Sequence, residues 1–256
     1  MLNIVPVPAF KDNYIWTIHD QQQAVVVDPG DAAPVHAWLQ QQGLQLAAIL
    51  ITHHHRDHTG GIAELARVYN SPVYGPRREN IPGINHPCGE GDVIDLPALS
   101  MRISVMDVPG HTRGHIAFVW DKHLFCGDTL FGLGCGKLFE GTAAQLHHAL
   151  QRFAQLPDDT LMYCAHEYTE LNLPFALRCE PGNAALQQRE RDIFALREQN
   201  RPTLPVTMAL EKATNPFFRC NEPEIIRNLE RMLEHALPPH DEVAVFTAMR
   251  ELRDQF

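Results

Sequence analysis

The chain has 256 residues, of which 45% are hydrophobic and 20% are charged, a composition typical of a globular protein with one large domain or slightly more. Its formal net charge of −10 disfavours binding to nucleic acid or to an anionic membrane, because both need an excess of Lys and Arg. The sequence contains neither the about 18 apolar residues of a membrane span nor, at its N-terminus, the basic segment of a signal peptide.

The first elements along the chain are two strands, Asn13 to Ile18 and Ala24 to Val27, and a helix from about Ala33 to Gln41. Between the second strand and the helix stands Asp28-Pro29-Gly30. Asp28, an acid at the end of an apolar strand, is either a turn residue or a carboxylate that orients a metal-binding His.

The stretch 49–58 reads Ile-Leu-Ile-Thr-His-His-His-Arg-Asp-His. An apolar run before a polar cluster is typical of a buried strand that delivers a loop. If the loop leaves the strand extended, alternate side chains share a face, so that His53 and His55 point together and His54 points away.

Asp57 and His58 follow one turn later, too far round to complete the same tetrahedron as His53 and His55. The simplest interpretation is two adjacent metals, one held by each pair. Imidazole and carboxylate together suit zinc, iron or manganese, and the absence of a nearby Cys pair argues against a closed structural zinc site.

Beyond this loop, Gly61 to Tyr69 has the apolar spacing of an amphipathic helix. Residues 71–99 are interrupted by five prolines, which predicts short strands and loops, and we expect no site residue there.

Three further strands end in metal-ligand candidates. Met101 to Val108 runs into a loop with His111 and His115, and the residues alone do not choose between the two histidines. A strand from Leu124 ends at Asp128, whose carboxylate can place one oxygen on each of two metals. After a helix over residues 142–155, the strand Leu161 to Tyr163 precedes His166.

The composition becomes helical after Tyr168, which predicts a domain boundary near residue 170, between a catalytic domain (1–169) and a helical substrate-binding domain (170–256). Asn183 and Asp241 are placed to cap helices running to about Gln199 and Arg253. Asn221 with Glu224 resembles the capping box of another helix. The six cysteines form no Cys-x-x-Cys pair or disulfide-like cluster, so we expect reduced thiols and a cytoplasmic protein.

The motif from Thr52 to His58 resembles the signature of the metallo-β-lactamase superfamily. The resemblance implies an α+β fold, an αββα four-layer sandwich, here with a C-terminal helical domain. It also implies that His111 completes the first metal site, that Asp128 bridges both metals, and that His115 is a buried structural residue. His166 would be the third ligand of the second metal, giving the set His53, His55, Asp57, His58, His111, Asp128 and His166.

Motifs along nearly the whole chain resemble, more specifically, the hydroxyacylglutathione hydrolase (glyoxalase II) family. They are Gly127-Asp128-Thr129-Leu130-Phe131, Gly134-Cys135-Gly136-Lys137, Glu140-Gly141-Thr142, His166-Glu167-Tyr168, Asn215-Pro216-Phe217 and Arg250-Glu-Leu-Arg253-Asp-Gln-Phe256. The resemblance implies that Lys137 and Tyr168, with Arg250 and Arg253 from an exposed cleft rim, bind glutathione. Phe139 departs from the pattern, because some relatives have at its position a Tyr that helps to hold the glycine carboxylate.

The implied reaction is hydrolysis of an S-(2-hydroxyacyl)glutathione thioester such as S-D-lactoylglutathione to glutathione and a 2-hydroxy acid, in methylglyoxal detoxification. Two divalent ions per chain, zinc or else iron or manganese, would hold a bridging hydroxide between them, with Asp57 and Asp128 positioning it, because such sites lower the pKa of water to near 7. We expect a monomer that binds neither nucleic acid nor membrane.

Three alternatives deserve comparison with this hydrolase. A persulfide dioxygenase shares the fold but uses a single iron, which the second ligand set and the helical tail disfavour. An oxygen-reducing diiron protein has, by the family pattern, a Glu where His55 stands. A binding module without catalysis would not need seven ligands on four loops.

Overall fold

The computed structural model describes residues 2–256, which contain two six-stranded sheets. In the first sheet the strands follow chain order, antiparallel from the first to the third and parallel from there on. These strands are β1 (Asn3–Ala9), β2 (Asn13–His19), β3 (Gln23–Val27), β4 (Gln45–Leu50), β5 (Val73–Pro76) and β6 (His86–Cys88).

The second sheet contains β7 (Val93–Leu96), β8 (Met101–Asp107), β9 (Ile116–Trp120), β10 (His123–Gly127), β13 (Leu161–Cys164) and β14 (Val206–Thr207). Its order is β14-β13-β10-β9-β8-β7, and only β10 and β13 are parallel. Two short strands, β11 (Leu130–Phe131) and β12 (Gly134–Cys135), form a separate ribbon.

Nine α-helices lie in the described residues: α1 (Ala32–Gln42), α2 (Arg56–Thr59), α3 (Ile62–Tyr69), α4 (Ala143–Ala154), α5 (Thr169–Cys179), α6 (Ala184–Glu198), α7 (Met208–Thr214), α8 (Pro223–Leu233) and α9 (Glu242–Gln255). Among them, no helix combines the length and the apolar character needed to cross a membrane.

The layers are those of the expected αββα sandwich. Leu39 of α1 and Leu65 of α3 pack with one face of the first sheet, represented by Ile49. The opposite face shares a continuous core with the second sheet and with α4, to which Leu50 and Leu150 belong. Alternate residues of β4 thus enter different cores, as the period of two along a strand requires.

The C-terminal helices pack into the core that the two sheets share with α4, so they do not form an isolated unit. Phe217 and Phe246 belong to the same buried cluster as the second sheet, with ring centroids 5.4 Å apart. Asn215 Nδ2 donates to the backbone oxygens of Phe131 and Gly134, at 3.2 and 3.0 Å. The Asn215-Pro216-Phe217 motif therefore fixes the β11–β12 ribbon, which precedes Lys137.

The helix caps test the local predictions. Asn183 and Asp241 cap α6 and α9 as expected, with side-chain oxygens accepting from backbone N–H groups two or three residues on. The capping box predicted at Asn221 is wrong, because α8 begins at Pro223 with Glu222 as its N-cap and no side-chain cap bond. Pro tolerates the first helical position because that N–H has no partner within the helix.

Strand β1 and helix α5 are among the elements that the sequence prediction did not include. Strand β1 contains two prolines, which it accommodates as the edge of its sheet, where not every N–H needs a ladder partner. Helix α5 contains Pro174, a residue that normally ends a helix.

Candidate metal centre

The predicted ligands meet at one edge of the sandwich. Strands β3, β4, β8, β10 and β13 all end there, and each is followed by a residue of the site. Carboxyl ends of neighbouring strands commonly form such crevices, since the loops beyond them converge while the strands stay rigid.

The first donor set consists of His53, His55, His111 and Asp128. His55 Nδ1 lies 3.0 Å from His53 Nε2 and 3.0 Å from His111 Nε2, and His111 Nε2 lies 3.4 Å from Asp128 Oδ2. Ligand atoms around a tetrahedral ion with bonds of 2.0–2.1 Å are separated by about 3.3 Å. The separations fit a shared metal ion.

The second donor set consists of Asp57, His58 and His166. Asp57 Oδ2 lies 3.3 Å from His58 Nε2 and 3.4 Å from His166 Nε2. Asp128 Oδ1 adds a fourth donor, 3.5 Å from His58 Nε2 and 3.4 Å from His166 Nε2. Asp128 therefore turns one oxygen to each set, the geometry of a bridging carboxylate.

Two buried polar atoms of this centre also indicate that it binds a metal ion. His58 Nε2 and Asp128 Oδ1 are buried and have no hydrogen-bond partner among the described residues. An unpaired buried polar atom costs about 1–3 kcal/mol, so a chain keeps one where something else satisfies it. Both orphaned atoms face the second donor set, and a divalent ion there fits them.

Asp28 orients histidines of both sets. Its Oδ2 accepts from His58 Nδ1 at 3.0 Å and from the Thr52 hydroxyl at 2.7 Å, and its Oδ1 accepts from Thr52 N at 2.7 Å. Thr52 Oγ1 in turn lies 3.0 Å from His53 Nδ1, whose N–H it can accept. These contacts leave the Nε2 lone pairs of His53 and His58 free for metal binding.

The other two imidazoles that present Nε2 are fixed by residues that no local pattern indicates. His166 Nδ1 lies 2.8 Å from Asp12 Oδ1, and His111 Nδ1 lies 2.8 Å from the backbone oxygen of Lys137. Asn13 Nδ2 donates to Asp57 Oδ2 at 3.0 Å. Asp12 lies in the turn between β1 and β2, and Asn13 is the first residue of β2. Because the sequence did not predict β1, no strand end pointed to these two residues.

His115 is fully buried and lies outside both donor sets. Its Nε2 accepts from Asp128 N at 3.2 Å, and its ring stacks on that of His53 with centroids 4.6 Å apart. The structure thus separates the two histidines that the sequence left open, since His111 faces the donors and His115 supports Asp128.

The two donor sets differ in their electrostatics. Burial lowers the pKa of His53 and of His111, which keeps both imidazoles neutral, the form that binds a metal. Burial also opposes a charge on His58, but the carboxylates of Asp128 and Asp28 outweigh it and raise the pKa of this imidazole. The second set therefore favours a positive charge, which a metal ion provides.

Two neighbouring residues complete the support of the loops. His54 turns away from the donors, and its Nε2 lies 2.9 Å from Glu140 Oε1. The segment 71–99, where the sequence predicts no site residue, contributes Glu79, which accepts from the Thr112 hydroxyl and from Gly114 N in the His111 loop.

A cavity of about 320 Å³ adjoins the centre, and we call it the first cavity. Its lining includes His111 and Asp128 and all five predicted substrate residues, which are Lys137, Phe139, Tyr168, Arg250 and Arg253. Lys137 and Phe139 are exposed, and the Tyr168 ring stacks on His166 with centroids 4.6 Å apart.

Arg250 and Arg253 share one face of α9 but differ in burial and in their hydrogen-bond partners. Arg250 is only 6% exposed and donates to Cys135 O and Asp254 Oδ1, both at 2.9 Å, so the expectation of a solvent-exposed position is wrong for it. Arg253 is half-buried and donates to Asn172 Oδ1 at 3.1 Å. The difference arises because the β11–β12 ribbon covers Arg250.

Asp12→Ala is expected to weaken metal binding at the second donor set by about 10–100-fold, because partners of ligand histidines typically contribute that much. The first set has no contact with Asp12 and should keep its ion. Elemental analysis after graded chelation measures both occupancies. Equal loss of both ions would show that Asp12 does not act through His166.

Comparison with known proteins gives matches along the whole chain. Residues 11–166 match the model of the metallo-beta-lactamase superfamily, and residues 167–256 match that of the hydroxyacylglutathione hydrolase C-terminus. A hydroxyacylglutathione hydrolase of Nitrosomonas europaea is 54% identical, covering 100% of this chain and 97% of the relative. One of Methylobacillus flagellatus is 52% identical, with both chains covered completely.

Among solved structures, ETHE1 from Myxococcus xanthus superposes with a TM-score of 0.66 over 98% of this chain and 99% of its own. Its sequence identity is 24%, so this likeness concerns the fold alone. The fold of the described residues is thus that of the superfamily whose model matches the first part of the chain.

Proposed function

The chain belongs to the hydroxyacylglutathione hydrolase family of the metallo-β-lactamase superfamily, and on this premise we propose that it hydrolyses S-(2-hydroxyacyl)glutathione thioesters. S-D-lactoylglutathione is the substrate of this class that we propose, and its products are glutathione and D-lactate, as in methylglyoxal detoxification. The observation that carries the proposal is the pair of donor sets joined by Asp128, directly beside a cavity with three cationic side chains.

Divalent ions would be held by His53, His55, Asp57, His58, His111, Asp128 and His166, and when bound they would supply an activated water and polarise the thioester carbonyl. We propose two per chain, zinc or else iron or manganese, because imidazole and carboxylate donors suit all three. Asp57 and Asp128 turn carboxylate oxygens to the centre and can accept hydrogen bonds from the attacking water, which aligns it with the carbonyl.

No general acid is needed for the leaving group. A thiol has a pKa of about 8.5, so the thiolate departs far more readily than an amine or an alkoxide. Burial raises the pKa of the Tyr168 phenol well above its ordinary value of 10.0, with the carboxylate of Asp12 adding to the effect. Tyr168 therefore stays protonated and can donate a hydrogen bond to the substrate.

The first cavity is suited to the glutathione part of the substrate. Glutathione carries two carboxylates, and Lys137 and Arg253 supply cationic donors beside the centre. Phe139 has no hydroxyl, so the glycine carboxylate has one hydrogen bond fewer than with a Tyr. Arg250 acts at this cavity chiefly by holding the backbone of Cys135 in place.

Arg253→Ala is expected to raise KM for S-D-lactoylglutathione about tenfold and to leave kcat nearly unchanged, because it removes a charged contact made equally in ground and transition states. Steady-state kinetics measure both, with the exposed Arg191→Ala as the control for loss of charge. A large loss of kcat with intact metal content would instead place Arg253 near the reacting carbonyl.

Arg250→Ala should differ from Arg253→Ala in its effect on the stability of the protein. Because Arg250 is buried and its partners remain behind, the free energy of unfolding should also fall by about 1–3 kcal/mol. Urea denaturation of the two variants makes this comparison.

We also propose the organisation of the chain and its setting. We propose a boundary near residue 170 between a catalytic domain, 1–169, and a helical substrate-binding domain, 170–256, which contributes β14 to the second sheet and shares its core. All six cysteines lie in described residues as free thiols, which supports a reducing, cytoplasmic location. The net charge of −10 supports a partner list of small molecules, without nucleic acid or membrane, and we propose a monomer.

Thioester hydrolysis measured against oxygen uptake on one purified, metal-analysed sample tests the proposed function. Release of glutathione from S-D-lactoylglutathione without oxygen consumption is the expected result. Oxygen uptake in the absence of hydrolysis would favour one of the two iron-dependent alternatives. The absence of both activities would favour a binding module.

A further inference from the structure

Helices α6 and α7 contain a fully buried ion pair between Arg189 and Glu211, which lies outside the first cavity and outside both donor sets. We propose that Glu211 is a positioning residue, which holds the β11–β12 ribbon and, through it, the side chains that bind the glutathione part of the substrate. The inference rests on the proposed function and adds to it a residue that determines substrate affinity from outside the binding cavity.

The carboxylate of Glu211 is shared between the C-terminal helices and the ribbon. Arg189 Nη2 donates to Glu211 Oε1, and Arg189 Nη1 donates to the Thr214 hydroxyl at 2.6 Å. Glu211 Oε2 accepts from Leu133 N at 3.2 Å and from Asn215 Nδ2 at 2.9 Å. Because a hydrophobic pair of the same size often stabilises a fold as well as a buried ion pair does, stability alone does not explain these charges.

The residue of the ribbon that Glu211 contacts has a strained backbone. Leu133, in the turn between β11 and β12, has a φ of 59°, in the left-handed region that favours glycine. Such a conformation persists where surrounding contacts enforce it, and it is commonest at functional sites. Glu211 holds the N–H group of Leu133, and the Leu133 side chain is buried with Leu173 of α5 and Leu186 of α6. The C-terminal helices therefore fix this turn through both its backbone and its side chain.

The ribbon connects the turn to the arginines of the first cavity. Arg250 donates to Cys135 O, at the end of β12, at 2.9 Å. Asn172 Nδ2 donates to Gly132 O at 3.0 Å, while Asn172 Oδ1 accepts from Arg253 at 3.1 Å. A displacement of the ribbon would therefore move the partners of both arginines.

The metal centre depends less on this anchor. The N–H group of Asp128, which precedes the ribbon, donates to His115 and not to the C-terminal helices. Gly136 N donates to Thr129 O at 3.2 Å, which closes the ribbon on the side of the metal centre. Loss of the Glu211 carboxylate should therefore disturb the binding of glutathione more than the reaction at the carbonyl.

Glu211→Gln tests the inference, because an amide of the same size has a single oxygen and cannot accept from both Arg189 and the ribbon. KM for S-D-lactoylglutathione should rise about three- to tenfold, while kcat stays within about twofold. The dissociation constant of S-methylglutathione, an unreactive thioether that keeps the glutathione part, should rise by the same factor. Steady-state kinetics and calorimetry measure these values, and the metal content of the same samples should stay that of the wild type.

Glu180→Gln is the matched control. Glu180 is also a buried glutamate of the C-terminal helices, and Arg219 donates to its two oxygens at 2.8 and 2.7 Å. Within residues 2–256 its side chain forms no hydrogen bond with the ribbon. Urea denaturation should show a loss of stability in both variants, but only Glu211→Gln should change KM and the dissociation constant.

Arg189→Lys is a milder second variant. It keeps the positive charge but replaces the planar group that binds Glu211 and Thr214 at once by a single ammonium group. We expect KM and the dissociation constant to rise about two- to threefold. This variant decides the question if Glu211→Gln does not fold.

The outcomes separate the inference from its premise. Unchanged affinity in folded Glu211→Gln, or in Arg189→Lys where Glu211→Gln does not fold, would overturn the positioning role, as would an equal rise of KM in Glu180→Gln. If the wild-type protein binds S-methylglutathione but hydrolyses no thioester, the proposed function is wrong, while the dissociation constants still test Glu211. If the wild type does not bind S-methylglutathione at all, the positioning role is wrong as well.

Discussion

Asp128→Asn is expected to reduce the metal content from about two ions per chain to one or fewer and to lower kcat by at least about 10²–10³-fold. Asp128 turns Oδ2 towards His111 and Oδ1 towards His58 and His166. An amide has a single oxygen and no charge, so it can serve one donor set only. Elemental analysis and single-turnover kinetics on the same sample measure both effects.

The control for Asp128→Asn is Asp95→Asn, the same change at an exposed position of β7. It should keep two ions and the wild-type kcat. Two tightly bound ions and full turnover in Asp128→Asn would show that the two sets do not share this carboxylate, and the binuclear interpretation would have to be abandoned.

His166→Ala is expected to abolish most turnover, with kcat lower by about 10²-fold or more, because it leaves the second set with only Asp57, His58 and Asp128 as donors. KM should change much less, since the first cavity does not include His166. The measurement is kcat and KM for S-D-lactoylglutathione together with the metal content.

His54→Ala is the matched comparison, a histidine among ligands that faces Glu140 instead of the donors. An exposed pair of this kind is worth about 0–1 kcal/mol, so kcat should stay within a few-fold of wild type. If His54→Ala lowered kcat as much as His166→Ala does, the side chain of His54 would have to face the metal centre, and the alternation assigned to the loop after β4 would be wrong.

The resemblance of the motif from Thr52 to His58 to a known superfamily implied the fold class. The strands that deliver ligands could be located from local sequence, because each is a short apolar run ending in a polar cluster. The alternation of His53 and His55 against His54 follows from the backbone alone, and the structure has it. Caps such as Asn183 could be predicted for the same reason, since a cap contacts groups two or three residues away. Helix α5 could not, because Pro174 interrupts the pattern and only packing on neighbouring helices retains it.

The sequence by itself thus indicated most of the candidate metal ligands but left His111 and His115 open, and the motifs along it indicated glutathione as the binding partner. Only the tertiary structure decided which residues orient those ligands, because Asp12 reaches His166 across 154 positions of sequence and Asn13 reaches Asp57 across 44. It also decided the burial of Arg250, which depends on where the β11–β12 ribbon packs, and the existence of a second cavity between β1, β2 and α5. Such contacts join segments far apart in the chain, and no periodicity within a single segment encodes them.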